Sequence, residues 1–160
     1  MGTILKNKIL ELAKDSKVKL LGNDYVEENL ESCSYDLRVG TVFKEGKIFS
    51  ENHNPNDAWN LAIAPSEIVT ILTLEEVNLP KSFCGTVFAI NKLSSRGFLI
   101  LNPGHIDPGY SGPITVCVIN LSKETIYFSI KEKIFTIIFE DLGEDSEGYI
   151  GNKKFQKHLN

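Results

Sequence analysis

Three short runs carry side chains that could do chemistry. The first is GHIDPGYSGPITVCVIN, Gly104 to Asn120. Asp107 stands just before a Pro-Gly turn and Tyr110 just after it. Pro108 and Pro113 restrict the backbone, so ordering the loop on a ligand costs little entropy. An acid on such a loop can orient or deprotonate a water within hydrogen-bond reach. Tyr110 offers a flat apolar face to a sugar or base. The structural alternative is that Asp107 caps the turn and Tyr110 fills core. The second run is NKLSSRGFLI. Lys92, Ser94, Ser95 and Arg96 gather before a glycine, and hydroxyls, amides and cations all donate to phosphate oxygens; a solvated connection has the same composition. The third is SYDLRVG, where Asp36 and Arg38 lie two apart on one face of a strand. They suit an ion pair, or an acid facing a metal or Arg beside a cation facing an anion.

The elements that must position these runs are mostly strands. Leu5 to Lys14 reads as a helix, with Ile9, Leu10, Leu12 and Ala13 on one side and lysines opposite. Asn23 to Asn29 is turn-like. TVFKEGKIFS reads as two strands around Glu45-Gly46, and ENHNPNDAW as loop. Then come LAIAP, EIVTILTL, CGTVFAI, GFLILN, ITVCVIN, TIYFSI and KIFTIIFEDL. Each is short, rich in Val, Ile, Phe or Thr, and most are closed by Gly, Pro, Asn, Ser or charge. No stretch between them is long enough for the crossover helix of a parallel sheet. The expected fold is all-β, a sandwich or barrel with a short N-terminal helix. At 160 residues a single domain over 1–160 is expected. Residues 143–160 form a polar tail that is disordered or orders on a partner or ligand.

The formal charge of −4 opposes binding to a nucleic-acid polymer. Cys33, Cys84 and Cys117 show neither a disulfide framework nor zinc spacing, and His105 has no second ligand at metal spacing, so no metal held by side chains is expected. The thiols read as reduced and mostly buried, which with no apolar run of membrane-spanning length and no signal-peptide core points to a cytoplasmic protein.

NLESCSYDLRVG, LEEVNLPKSFCGTVFAINKLSSRGF and GHIDPGYSGPITVCVIN occur in that order. Together they resemble the dCTP deaminase and trimeric dUTPase superfamily, from about Leu5 to Gln156. The ending, KIFTIIFEDL then YIGNKKFQ, is similar to the deaminase branch. The resemblance implies a distorted jelly-roll barrel, a homotrimer with sites between subunits, and a deoxypyrimidine triphosphate bound with Mg²⁺ through its phosphates. It also implies a C-terminal segment, including Gln156, that closes over the nucleotide. Asp107 then matches the acid that orients water in dUTPases, Tyr110 the aromatic residue beneath deoxyribose, and the backbone around His105 and Ile106 the lining of the base or sugar pocket. Asp36 matches the acid of the first motif, in a structural or polar network with Arg38.

Two positions depart from the family pattern. The glutamate that activates water in deaminases aligns with Cys117, and a thiol is a poor replacement. The Arg-Ser-Ser phosphate motif aligns with Ile90, Asn91 and Lys92 without a gap, or with Lys92, Ser94 and Ser95 with one; Lys lacks the bidentate fork of Arg. The first departure, with Asp107 and Tyr110 retained, leads to the expectation of a dUTP diphosphatase-like hydrolase, converting dUTP to dUMP and pyrophosphate with Asp107 catalytic; the altered phosphate motif counts against it. A dCTP deaminase, with or without triphosphate cleavage, and a non-catalytic nucleotide-binding or regulatory protein are the alternatives.

Overall fold

A computed structural model describes residues 1–49 and 60–149; His53, Trp59, Gln156 and His158 fall outside them. The chain runs β1 (Gly2–Thr3), α1 (Lys6–Lys14), a 3-10 turn (Glu27–Asn29), β2 (Ser34–Lys44), β3 (Lys47–Ile48), β4 (Asn60–Ile63) and β5 (Ile68–Asn78). It continues through β6 (Phe83–Ala89), α2 (Asn91–Ser94), β7 (Phe98–Asn102), β8 (His105–Ile106), β9 (Ser111–Asn120), β10 (Ile126–Ser129) and β11 (Lys133–Asp141). The strands make a curled sheet in the order β7-β9-β5-β2-β11-β6-β8, with β1 on β11 and β3 on β2, and β10 pairs β4 separately. This is the all-β fold expected from the strand pattern, in the distorted jelly-roll form that the resemblance implies.

Strand β2 shapes the curl. Its first half, Ser34 to Arg38, pairs with β11, and its second, Val39 to Phe43, pairs with β5. A strand that changes partner midway turns a corner between two sheets. Both ladders slip register at the corner, between Lys133 and Phe135 and between Val39 and Thr41. Gly40 sits there because a Cβ would come within 2.9 Å of Leu72 O, Leu74 N and the Thr73 carbonyl carbon. The sequence pattern divided this strand at Gly40; it is one strand of 11 residues because the glycine admits the backbone of β5. The hairpin turn at Glu45-Gly46 stands where the sequence placed it, and Glu45 and Gly46 both take positive φ.

Alternation along the strands fills one core. Tyr35, Leu37 and Val39 of β2, Val69, Ile71 and Val77 of β5, and Ile114, Val116 and Val118 of β9 all point inward. Phe98 lies at its centre, edge-on to Phe128 at 6.5 Å and tilted against Phe135 at 6.2 Å. Ile9, Leu12 and Ala13 seat α1 on that core. Among the described residues no helix is long and apolar enough to cross a membrane.

Candidate active site

The Pro-Gly turn leaves the sheet at β8 and returns as β9. His105 and Ile106 pair with Thr86 and Gly85 of β6. Ile106 is buried, whereas His105 and Asp107 are exposed, with Nε2 of the first 3.4 Å from Oδ1 of the second. The Tyr110 N–H donates to Asp107 O at 3.2 Å, closing the turn through the backbone. Tyr110 is half-buried; its hydroxyl donates to Pro113 O at 2.6 Å, and Leu79 N–H donates to Tyr110 O at 2.8 Å. Burial, aided by Tyr149, pushes its phenol up to about 12, so it remains a neutral donor. The Asp107 side chain is exposed at the tip beside His105, and the Tyr110 ring is fixed.

The segment after β11 folds back onto this turn. Ser146 donates from N and Oγ to Lys81 O at 3.0 and 2.9 Å. The Tyr149 ring meets Tyr110 edge-on with centroids 5.7 Å apart. Gly109 has φ 79°, and a Cβ on it would come 3.1 Å from Tyr149 N, so both the turn and its cover require glycine. The start of the polar tail thus packs on the turn; Gln156 lies outside the described residues.

The second run forms α2, a single helical turn that the sequence pattern missed. Leu93 is buried and anchors it, while Lys92, Ser94, Ser95 and Arg96 are exposed. A groove of about 830 Å³ runs beside α2, across β6, β11, β2 and β7. Asn91 and Ser94 line it, with Asp36 and Thr136 on one side and Phe88 and Leu101 among its apolar walls. The charged residues in its lining are Glu31 and Asp36. All three runs reach the groove, through Asp36, through Asn91 and Ser94, and through Gly104, but Lys92, Ser95, Arg96, Asp107 and Tyr110 are absent from its lining.

Asp36 and Arg38 do not pair with each other. Asp36 lies 3.4 Å from Lys133 Nζ, and Arg38 turns to Glu75. The Glu75 side chain is 0 % exposed and accepts from Arg38 Nε at 2.6 Å, Arg38 N at 2.9 Å and Tyr35 OH at 3.1 Å. Tyr35 OH accepts from Val26 N–H at 3.1 Å, and Arg38 also donates to Asp24 O. Burial raises the Tyr35 phenol to about 12, with the nearby Glu75 charge adding to the effect. The sequence reading overlooked Glu75. Strand parity contains the signal: Val69, Ile71 and Val77 face inward, so residue 75 does too, and a buried carboxylate needs a cation.

The three thiols are free. Cys84 is buried, and burial raises its pKa, as do the charges of Glu140, whose Oε2 is 3.8 Å from the sulfur, and Asp107. Cys117 is half-buried on the outer side of β9, flanked by Thr70 and Asn102 on the neighbouring strands. On the same side, Ile119 lies between the exposed Ile68 and Leu99. The part of that face around Ile68, Ile119 and Leu99 is therefore apolar and exposed.

This arrangement is a jelly-roll with a rigid acidic turn and, beside it, a largely apolar groove that carries Asp36, Asn91 and Ser94. The family model for dCTP deaminase-like proteins matches residues 4–142. The chain is 32% identical over 143 residues to a dCTP deaminase of Thermococcus kodakarensis, covering 88% of this chain and 89% of that one. It is 27% identical over 144 residues to a dUMP-forming dCTP deaminase of Methanosphaera stadtmanae, covering 79% and 73%. The crystal structure of a 2′-deoxycytidine 5′-triphosphate deaminase from Agrobacterium tumefaciens shares the fold, with a TM-score of 0.68 at 14% identity over 88% of this chain; the match spans 48% of that longer protein. The chain belongs to the dCTP deaminase-like family.

The expectation of a dUTP diphosphatase is overturned by these relatives, which are dCTP deaminases along most of the chain. The error came from weighting one residue of β9, Cys117, above the likeness that runs through residues 4–142.

Proposed function

We infer that the protein binds dCTP and deaminates it, water adding at C4 of the cytosine and ammonia leaving to give dUTP. The unbroken likeness to dCTP deaminases from residue 4 to 142 carries this reading. In it the Asp107–His105 pair on the turn faces the nucleotide, the backbone at Ile106 lines the base pocket, and the fixed ring of Tyr110 packs under deoxyribose. Lys92, Ser94, Ser95 and Arg96 of the α2 segment serve the triphosphate, with Gln156 in the closing tail. Asp36, joined to Lys133, keeps the groove's polar floor in place. Among the described residues no group of three His, Cys, Asp or Glu is placed to hold a metal ion. Mg²⁺ carried on the phosphates fits such a chain, because it needs cations and room rather than a side-chain cage; bound there, it would offset phosphate charge.

Asp107 and Tyr110 lie outside the groove that Asn91 and Ser94 line, so a complete site calls for a second protomer. The apolar face around Ile119 would be covered in the same assembly, a homotrimer. A thiol is a poor replacement for a carboxylate in activating water, and loss of a placed general base costs about 10²–10⁴-fold in rate. Turnover should therefore be slow. Purified protein is incubated with dCTP and Mg²⁺ while ammonia and uracil nucleotides are followed. Slow release of ammonia, accelerated by Cys117→Glu, supports the reading; release of dUMP would align the chain with its dUMP-forming relatives. Tight binding of dCTP without ammonia, unaltered by Cys117→Glu, would overturn deamination. It would leave the second reading, a nucleotide-binding protein without turnover, which Cys117 itself favours.

A further inference from the structure

The ladder between β5 and β9 has a gap. Leu72 pairs with Thr115 and Glu76 with Pro113, so Thr73, Leu74 and Glu75 stand opposite Ile114 alone. A bulge of this kind leaves backbone groups without ladder partners. Here side chains replace them. The Thr73 hydroxyl accepts from Ile114 N–H at 2.9 Å and donates to Glu75 O at 2.8 Å. Glu75 turns its carboxylate inward, where Arg38 and Tyr35 hold it. Gly40 clears the space beneath, since a Cβ there would strike the bulge's own backbone at 2.9 Å.

Beyond the bulge the ladder resumes, with Glu76 on Pro113, Val77 on Gly112 and Asn78 on Ser111. Those are the residues that hold Tyr110. Its hydroxyl bonds Pro113 O at 2.6 Å, its carbonyl accepts from Leu79 N–H at 2.8 Å, and Ser111 Oγ bonds Asn78 Oδ1 at 2.6 Å. The phase of the resumed ladder therefore fixes the height of the ring.

We propose that Thr73 and Glu75 are positioning residues for Tyr110, and that the bulge they pin sets the preference for a deoxyribose over a ribose nucleotide. The second half of this statement rests on the function inferred above; the first does not. Neither residue reaches the turn's surface. Both act through Ile114, Pro113 and the Tyr110 hydroxyl.

Thr73→Val keeps the branched shape and removes both hydroxyl bonds. Amide hydrogen exchange of the nucleotide-free protein reads the first half. Ile114, Tyr110 and Leu79 amides should exchange about tenfold faster in Thr73→Val, as expected for one lost hydrogen bond. Amides of the β11–β6 ladder should stay as in the parent, and Thr73→Ser should restore the turn. Equilibrium binding of dCTP and CTP reads the second half. The ratio of the two affinities should fall about tenfold in Thr73→Val and recover in Thr73→Ser. A uniform rise in exchange across all strands, or an unchanged turn in a folded Thr73→Val, would overturn the positioning role. If Thr73→Val does not fold, Tyr110→Phe cuts the last link alone. It should lower the dCTP-to-CTP ratio while Ile114 exchange stays at the parental rate, and a retained ratio would overturn the selectivity claim. Should the parent bind neither nucleotide, the inferred function fails while the exchange pattern still decides the bulge.

Discussion

Arg38→Met removes one member of a buried ion pair and leaves the other in place. The Glu75 side chain is 0 % exposed and that of Arg38 16 %, so water does little to screen the pair. Of three donors to the carboxylate, the variant loses the shortest, Nε at 2.6 Å, and the positive charge with it; Arg38 N and Tyr35 OH remain. The bond from Arg38 to Asp24 O disappears as well. Orphaning one charge of a buried pair costs about 3–5 kcal/mol, against a total stability of roughly 5–15 kcal/mol for a domain. At about 2–4 °C per kcal/mol, the melting temperature should fall by roughly 10 °C. Urea unfolding measures the loss directly, as a lower midpoint at an unchanged slope. The double variant Arg38→Met/Glu75→Met should recover most of it, because an apolar pair of similar volume leaves no charge behind. A single variant within about 1 kcal/mol of the parent, or a double variant as unstable as the sum of both singles, would refute the picture of a charged and dehydrated pair.

Three other outcomes follow from the same geometry. Burial raises Tyr35 and Tyr110 from the ordinary phenol value of 10.0 to about 12, so the native state holds protons that the unfolded chain releases. Their stabilising contribution is complete below pH 10 and is lost as pH rises through 12; chemical unfolding at stepped alkaline pH should show this decline, and Tyr35→Phe should flatten it. Gly109→Ala places a Cβ 3.1 Å from Tyr149 N at φ 79°. It should cost about 1–2 kcal/mol and speed amide exchange at Gly148 and Tyr149. Leu99→Glu puts a charge on the uncovered face beside Ile119. It should leave the circular dichroism spectrum as it was and convert the sedimenting assembly to single chains.

Elements governed by local pattern were legible in the residues. Ile9, Leu12 and Ala13 marked the face of α1 that is buried, and Glu45-Gly46 marked the hairpin. Features made by contact between distant segments were not. Gly40 looks like a strand breaker until Leu72 and Leu74 are seen against it. The spacing of Asp36 and Arg38 suggests a pair, yet each finds a partner elsewhere, Lys133 and Glu75, because β2 changes neighbours between them and Phe43. The turn at Asp107 was recognisable by its prolines and glycines. Its cover by Tyr149 was not, since nothing in a polar tail announces where it docks.

Among the described strands β11 stands furthest along the chain, yet it borders β2 and β6 and carries β1 at its end. A nascent chain halted before Lys133 thus has β2 and β6 each lacking a neighbour, two adhesive borders that invite pairing with another chain. Closure of the barrel waits for that strand, and fragments ending short of Asp141 should collect as insoluble material.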